Sequence, residues 1–269
     1  MVKAEFNSYA KTYKEWSDVQ VLTGSHLIQK LKETIGNKAV SSIIDLGCGD
    51  GCGTNHLHKT LKSASTLGID SSTNMIERAT RNYSTINTLQ KNPKGKSTPQ
   101  LNFQLNTIQD LDAAYFSEFD LIYSNASLQW VSDLQSFFQK IKQSRAINSD
   151  QMVSFSLFTS KTLTELSQGL ESIGRTDSLP TATFLDKESI GSILKSTFTD
   201  VVIWHESIVK PFTTINELFD SLKYTGVRDK DREKGLWTPR QLRDLKSYYE
   251  KNWGQYRLTY DVVYGVISR

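Results

Sequence analysis

Residues 43–57 read IIDLGCGDGCGTNHL. Four glycines, Gly47, Gly49, Gly51 and Gly53, fall within seven positions, and an acid, Asp45, stands two residues before the first. Glycine admits positive φ and removes the Cβ that would hold a ligand away. The first turn of a following helix adds unpaired N–H groups and a partial positive charge. The stretch therefore suits a ligand that meets backbone. A second acid, Asp70, closes the apolar run STLGID about 20 residues beyond the turn, where a carboxylate accepts from both hydroxyls of a ribose. A structural role is also open to it, as the N-cap of the helix written in SSTNMIERA.

Two cofactor classes compete for such a turn. A dinucleotide site asks for G-x-G-x-x-G. From Gly47 its last glycine falls on Cys52, and from Gly49 on Thr54, so neither frame completes. DLGCGDG instead resembles the first motif of the Rossmann-like methyltransferases that use S-adenosylmethionine (SAM), an acid followed by G-x-G-x-G. That resemblance implies that Asp45, Gly47, Cys48, Gly49 and Gly51 adjoin the amino-acid and sulfonium end of SAM. It places Asp70, with Ser71 beside it, at the ribose, and Met75 either near the adenine or in the core. Many members carry an acid after the third strand, beside the adenine amine. Here Asn106 or Thr107 stands there, so the acid is missing unless Asp110 supplies it, and Ile108 is left to meet the adenine face.

The stretch SNASLQWVSDL (124–134) is the second distinctive one. Taken with FNSYAKTYKEWSDVQ near the start and GLWTPRQL and YRLTYDVVYGVISR near the end, it resembles the malonyl-acyl-carrier-protein O-methyltransferases of biotin synthesis, the BioC family. The resemblance runs from Phe6 to Arg269. It implies methylation of the free carboxylate of a malonyl thioester, carried on acyl carrier protein or on CoA. It also implies that Tyr13 and Gln20 help close the cofactor pocket. Tyr13, Gln20, Asn125, Gln129 and Trp130 are the candidates for aligning the reactants, and Asn125 is expected to meet the cofactor as well. For Tyr13 and Trp130, core packing is an equal alternative. A carboxylate is already an anion at neutral pH, so its attack on a sulfonium methyl needs no strong base and gains most from alignment and exclusion of water. The sequence accordingly offers no Ser/His/Asp set to explain.

The charged segment VRDKDREKG (227–235) reads as a solvated loop, since its signs nearly cancel. Arg228, Arg232, Arg240 and Arg243 nevertheless suit the phosphopantetheine or acidic helices of a carrier protein. His56 and His58 are two apart on an expected helix and point in different directions, so no metal site is expected. The chain has 269 residues, 38 % of them hydrophobic and 23 % charged, with a net charge of +3, too mild to argue for nucleic acid. No run approaches a membrane span, the start lacks a secretory h-region, and the two cysteines sit inside the glycine turn. A cytoplasmic, reduced, monomeric protein is expected. Two rivals remain: a methyltransferase for another small acid or a quinone precursor, and a non-catalytic binding module on the same fold.

These residues need strands to carry them. Short apolar runs at 41–47, 65–70, 101–106, 119–125, 151–158 and 200–210 alternate with helical periodicity at 54–62, 74–83 and 134–147, and a last strand fills 256–269. Alternation at this spacing predicts an α/β protein with a mostly parallel sheet covered on both faces. Residues 84–99 read as a polar loop. The resemblance adds a seven-stranded Rossmann-like sheet whose last strand is antiparallel, with a helical cap. The expected organisation is a single domain over 1–269, with N-terminal helices at about 1–38 and cap helices at about 160–195 and 211–252.

Overall fold

A computed structural model describes residues 18–36, 38–84, 99–175, 179–224 and 238–268. Its strands are β1 (Ser42–Leu46), β2 (Ser65–Asp70), β3 (Gln100–Leu105), β4 (Leu121–Asn125), β5 (Met152–Phe158), β6 (Val201–Phe212) and β7 (Tyr256–Ile267), in the spatial order β3-β2-β1-β4-β5-β7-β6. The pairings among β1 to β5 are parallel, whereas β7 runs antiparallel to both β5 and β6. This is the Rossmann-like methyltransferase sheet expected from the sequence. β5, MVSFSLF, is buried at every position, as a strand covered on both faces must be. The edge strand β3 is exposed at four of its six residues.

The helices are α1 (Asp18–Ile35), α2 (Cys52–Leu61), α3 (Thr73–Tyr83), the short α4 (Ala113–Phe116), α5 (Leu134–Ile147), α6 (Thr164–Ser172), α7 (Lys187–Thr197), α8 (Ile215–Tyr224) and α9 (Pro239–Trp253). Their starts are written locally. Ser72, Asp112, Asp133 and Asp186 each accept a backbone N–H of the first turn of α3, α4, α5 and α7, the standard use of a short polar side chain at an N-cap. α9 opens with a capping box of Thr238 and Gln241 and a proline at its first position, and Gly254 closes it in the left-handed region at φ 66°. None of the described helices is long and apolar enough to cross a membrane.

The apolar residues divide between the two sheet faces. Leu27 and Leu31 of α1, Leu166 of α6, Leu218 of α8 and Leu245 of α9 share one cluster with Tyr123, Leu258 and Tyr264. Phe137 and Phe138 of α5 and Ile190 and Leu194 of α7 pack with Phe155, Val263 and Ile267 in the other. The helices of the expected 160–195 cap therefore go to different places: α6 joins α9 over one face, and α7 lies beside α5 on the other. Gly265 of β7 pairs with Phe155, and a Cβ there would fall 2.3 Å from the Phe155 ring, so the ring occupies the space beside the glycine.

α1 is fastened along its length. Asp18 pairs with Lys210, and His26 Nδ1 lies 3.0 Å from Glu206 Oε2, which also accepts from Tyr264 OH at 2.9 Å. Beyond the end of β5, the buried Asp261 of β7 gathers Thr159, His205 and Ser207 on its carboxylate. Burial pushes this acid up, but the hydrogen bonds from Thr159, His205 and Ser207 outweigh it and hold it below the usual carboxylate range. Asp261→Ala strands three donors around a cavity and is expected to cost about 2–4 kcal/mol, measured by urea unfolding. An unchanged midpoint would show that this clasp does not stabilise the chain.

Candidate functional site

Strand order reverses between β1 and β4, and open α/β sheets bind ligands in the crevice outside the strand ends at such a point. Three chain segments arrive there: the glycine turn after β1, Asp70 at the end of β2, and Asn125–Trp130 from the end of β4.

The turn is left-handed at Gly47 (φ 77°), Gly49 (φ 55°) and Gly51 (φ 80°), a conformation that side chains resist. The expectation that its amides face a ligand is corrected by the hydrogen bonds. Gly47 N and Cys48 N donate to the Ile69 carbonyl at 2.8 and 2.9 Å, Gly51 N donates to Cys48 O at 3.1 Å, and Gly49 N donates to Asp70 Oδ2 at 3.0 Å. The missing Cβ atoms also leave room for protein. A Cβ on Gly47 would fall 2.2 Å from Ser127 Oγ, and one on Gly51 would fall 2.8 Å from both Ala79 and Phe103. Gly53 meets nothing within 4 Å, so packing does not demand it.

Asp45 is buried beneath the turn and accepts from Thr54 Oγ1 of α2 at 2.6 Å. Burial, with the Asp70 charge in support and the Thr54 bond opposed, pushes its carboxyl up to about 7. Asp70 is half-buried, and its Oδ1 accepts from Ser72 N at 2.8 Å. Burial raises it despite the amides of Ser72, Gly49 and Ser71. The cap of α3 is Ser72, not Asp70. Each Asp70 oxygen keeps accepting capacity beyond its one backbone bond. Burial also pushes the Cys48 thiol up, beside Asp70 and Asp45, which makes it unreactive. Ser71 is exposed and Met75 is buried. Asn106 turns its Oδ1 onto Thr107 N at 2.8 Å, Ile108 is partly buried against the core that holds Phe116, and Asp110 is exposed.

After β4, Ala126 is left-handed at φ 52° and its N–H is held by both the carbonyl and Oγ of Ser156, each at 3.0 Å. Strained non-glycine residues of this kind gather at functional sites. Ser127 Oγ reaches the Gly47 carbonyl at 3.2 Å, tying the β1 and β4 turns together. Gln129 Nε2 donates to Ala126 O at 2.7 Å. Trp130 packs edge-on against Phe184 with centroids 5.0 Å apart. Asn125 Nδ2 donates to the Gln20 carbonyl of α1 at 2.8 Å, and Asn125 Oδ1 accepts from Thr23 Oγ1 at 2.9 Å and Ser156 Oγ at 2.7 Å. Gln20 Oε1 is buried without a hydrogen-bond partner among the described residues. Thr23, Ser127 and Ser156 are the members of this site that sequence reasoning missed; nothing local in the sequence marks them.

Tyr13, Arg228 and Arg232 lie outside the described residues. Arg240 and Arg243 are exposed on α9, and Arg240 Nε stands 3.7 Å from Asp244. His58 Nδ1 turns to Ser63 and Thr66 at 2.9 Å. Among the described residues no group of three His, Cys, Asp or Glu is placed to hold a metal.

Residues 37–172 match the methyltransferase domain family, and the chain belongs to it. Along nearly its whole length it is similar to malonyl-[acyl-carrier protein] O-methyltransferases. It is 27% identical over 273 residues to that of Halorhodospira halophila, covering 98% of this chain and 85% of the relative. It is 28% identical over 265 residues to that of Priestia megaterium, covering 94% and 90%. Among solved structures it resembles the YcgJ protein from Bacillus subtilis (TM-score 0.55, 14% identity, 91% of this chain and 99% of the other). It also resembles the plantazolicin methyltransferase BpumL in complex with SAH, the demethylated form of SAM (TM-score 0.51, 14% identity, 99% and 96%). The chain is a SAM-dependent methyltransferase.

The raised carboxyl of Asp45 makes a pH prediction. An acid raised in the fold contributes stability that is fully present below its unfolded value, near 4, and is lost as pH climbs through about 7. Asp45→Asn should flatten stability across that window, measured by thermal unfolding at pH 4.5 and 7.5. A wild-type slope that persists in the variant would assign it to another group.

Proposed function

We propose that this chain transfers a methyl group from SAM to the free carboxylate of a malonyl group carried on acyl carrier protein or CoA, giving the methyl ester used in biotin synthesis. The observation that carries the reading is the chemistry of the β4 end. Asn125, Ser127, Gln129 and Trp130 are uncharged, and three of them spend polar atoms on the protein itself. Such a site suits an acceptor that arrives already deprotonated, and a malonyl carboxylate does. The near end-to-end likeness to malonyl-[acyl-carrier protein] O-methyltransferases supports the same acceptor.

The residues present fit SAM. The amides of Gly47, Cys48, Gly49 and Gly51 are used internally, so the turn has less to offer a diphosphate, and its carbonyls and Gln20 Oε1 suit the ammonium of an amino acid. Asp70 holds the ribose hydroxyls with the accepting capacity its two backbone bonds leave, while Met75 and Ile108 flank the adenine. SAM supplies an electrophilic methyl on a cationic sulfur. The protein's part is to align the acceptor oxygen and to exclude water, because attack of an anion on a cation cancels charge as it proceeds. Arg240 and Arg243 on α9 supply positive charge for an acidic carrier protein.

Incubation with malonyl-carrier protein or malonyl-CoA and methyl-labelled SAM is expected to yield a base-labile methyl ester. Failure with both, with turnover of another acid or a quinone precursor, would move the chain to that acceptor class. Asp70→Asn should weaken SAH binding by roughly 10- to 100-fold, the worth of a charge-assisted hydrogen bond, read by calorimetry; unchanged affinity removes the ribose role. Reversal of charge at Arg240 and Arg243 should raise KM for the carrier-bound substrate several-fold, more at low salt, and leave SAH affinity as it was. A constant KM would exclude docking there.

A further inference from the structure

α1 crosses the carboxyl edge of the sheet at one point of close approach. Gly24 permits it: a Cβ there would lie 3.2 Å from Asn125 Nδ2 and 3.6 Å from Tyr123 OH. The Asn125 side chain makes three hydrogen bonds at this crossing. Its NH₂ faces the Gln20 carbonyl and its oxygen faces two hydroxyl donors, Thr23 and Ser156, which fixes the amide orientation. Thr23 Oγ1 also stands 3.0 Å from the Gln20 carbonyl. Thr23 and Ser156 are both fully buried, so water does not compete for these bonds. All of this grips the backbone of one residue, Gln20, whose own side-chain oxygen is buried and has no partner among the described residues. A buried acceptor without a donor is costly, and a network that fixes the main chain from which it projects leaves it poised for a donor that the described residues do not supply.

We propose that Thr23, Asn125 and Ser156 are positioning residues for methyl transfer, acting together through Gln20 to present its Oε1 to an N–H or O–H donor of bound SAM. The inference rests on SAM binding alone and not on the malonyl acceptor. Thr23 is the telling member, because valine keeps its shape and removes only the hydroxyl.

The test is calorimetric titration of SAH into the full chain and its variants, with no acceptor present, so its failure is separate from failure of the malonyl reading. Thr23→Val, Ser156→Ala and Gln20→Ala should each weaken SAH binding by about 3- to 10-fold, as expected for one hydrogen bond, and Thr23→Ser should restore it. The double variant Thr23→Val/Gln20→Ala should bind no worse than the weaker single variant, because both act on one contact. Methylthioadenosine, which lacks the amino-acid end, separates the donors: equal affinity in wild type and Gln20→Ala places the contact on the ammonium, and a loss places it on the ribose. Unchanged SAH affinity in Gln20→Ala or Thr23→Val, or losses that multiply in the double variant, would overturn the proposal.

Discussion

Two backbone amides on one carbonyl, Gly47 N and Cys48 N on Ile69 O, hold the turn after β1 against the end of β2. That contact needs Gly47 in the left-handed region. Once it is made, Gly49 N falls on Asp70 Oδ2 and the two strand ends become one rigid lip. Ser127 then joins the end of β4 to the same lip through the Gly47 carbonyl. The crevice at the strand-order reversal is thus assembled mainly around main-chain polar groups, with the Asp70 carboxylate and the Ser127 hydroxyl as the side chains that tie them together.

This arrangement decides which ligand chemistry the site serves. A phosphate-binding turn spends its N–H groups on oxyanions. Here the N–H groups of Gly47, Cys48, Gly49 and Gly51 are spent on the protein, and beside them stand acceptors: main-chain carbonyls, the Asp70 carboxylate and the Gln20 amide oxygen. Such a surface favours a positively charged, donor-bearing ligand. If the proposed acceptor meets the β4 end, its amides and hydroxyl leave the burden of reactivity on the two reactants and the burden of geometry on the enzyme.

Much of this was legible along the chain. β1, β4 and β5 announce themselves as short, mainly apolar runs because both of their faces are covered, and α5, α7 and α9 begin at acids or a threonine whose capping role is local. DLGCGDG and Asp70 marked the crevice. The reason for the glycines was not legible, because Ser127, Ala79 and Phe103, which fill the space beside them, are remote in sequence. The same holds for Asn125, whose decisive partners, Gln20 and Thr23, are more than a hundred residues away. Spacing could flag Asn125 as placed at a site, but only folding shows that its oxygen is taken by two hydroxyls and its NH₂ by the Gln20 carbonyl.

α1 is secured at three stations: Asp18 to Lys210 at its start, Gln20 and Thr23 to Asn125 near the glycine crossing, and His26 to Glu206 a turn further on. A helix riveted in this way does not swing as a gate on one hinge, since several bonds would have to break together. Exchange of spent for fresh methyl donor must then proceed past a fixed wall, with the moving part supplied by some other segment of the chain.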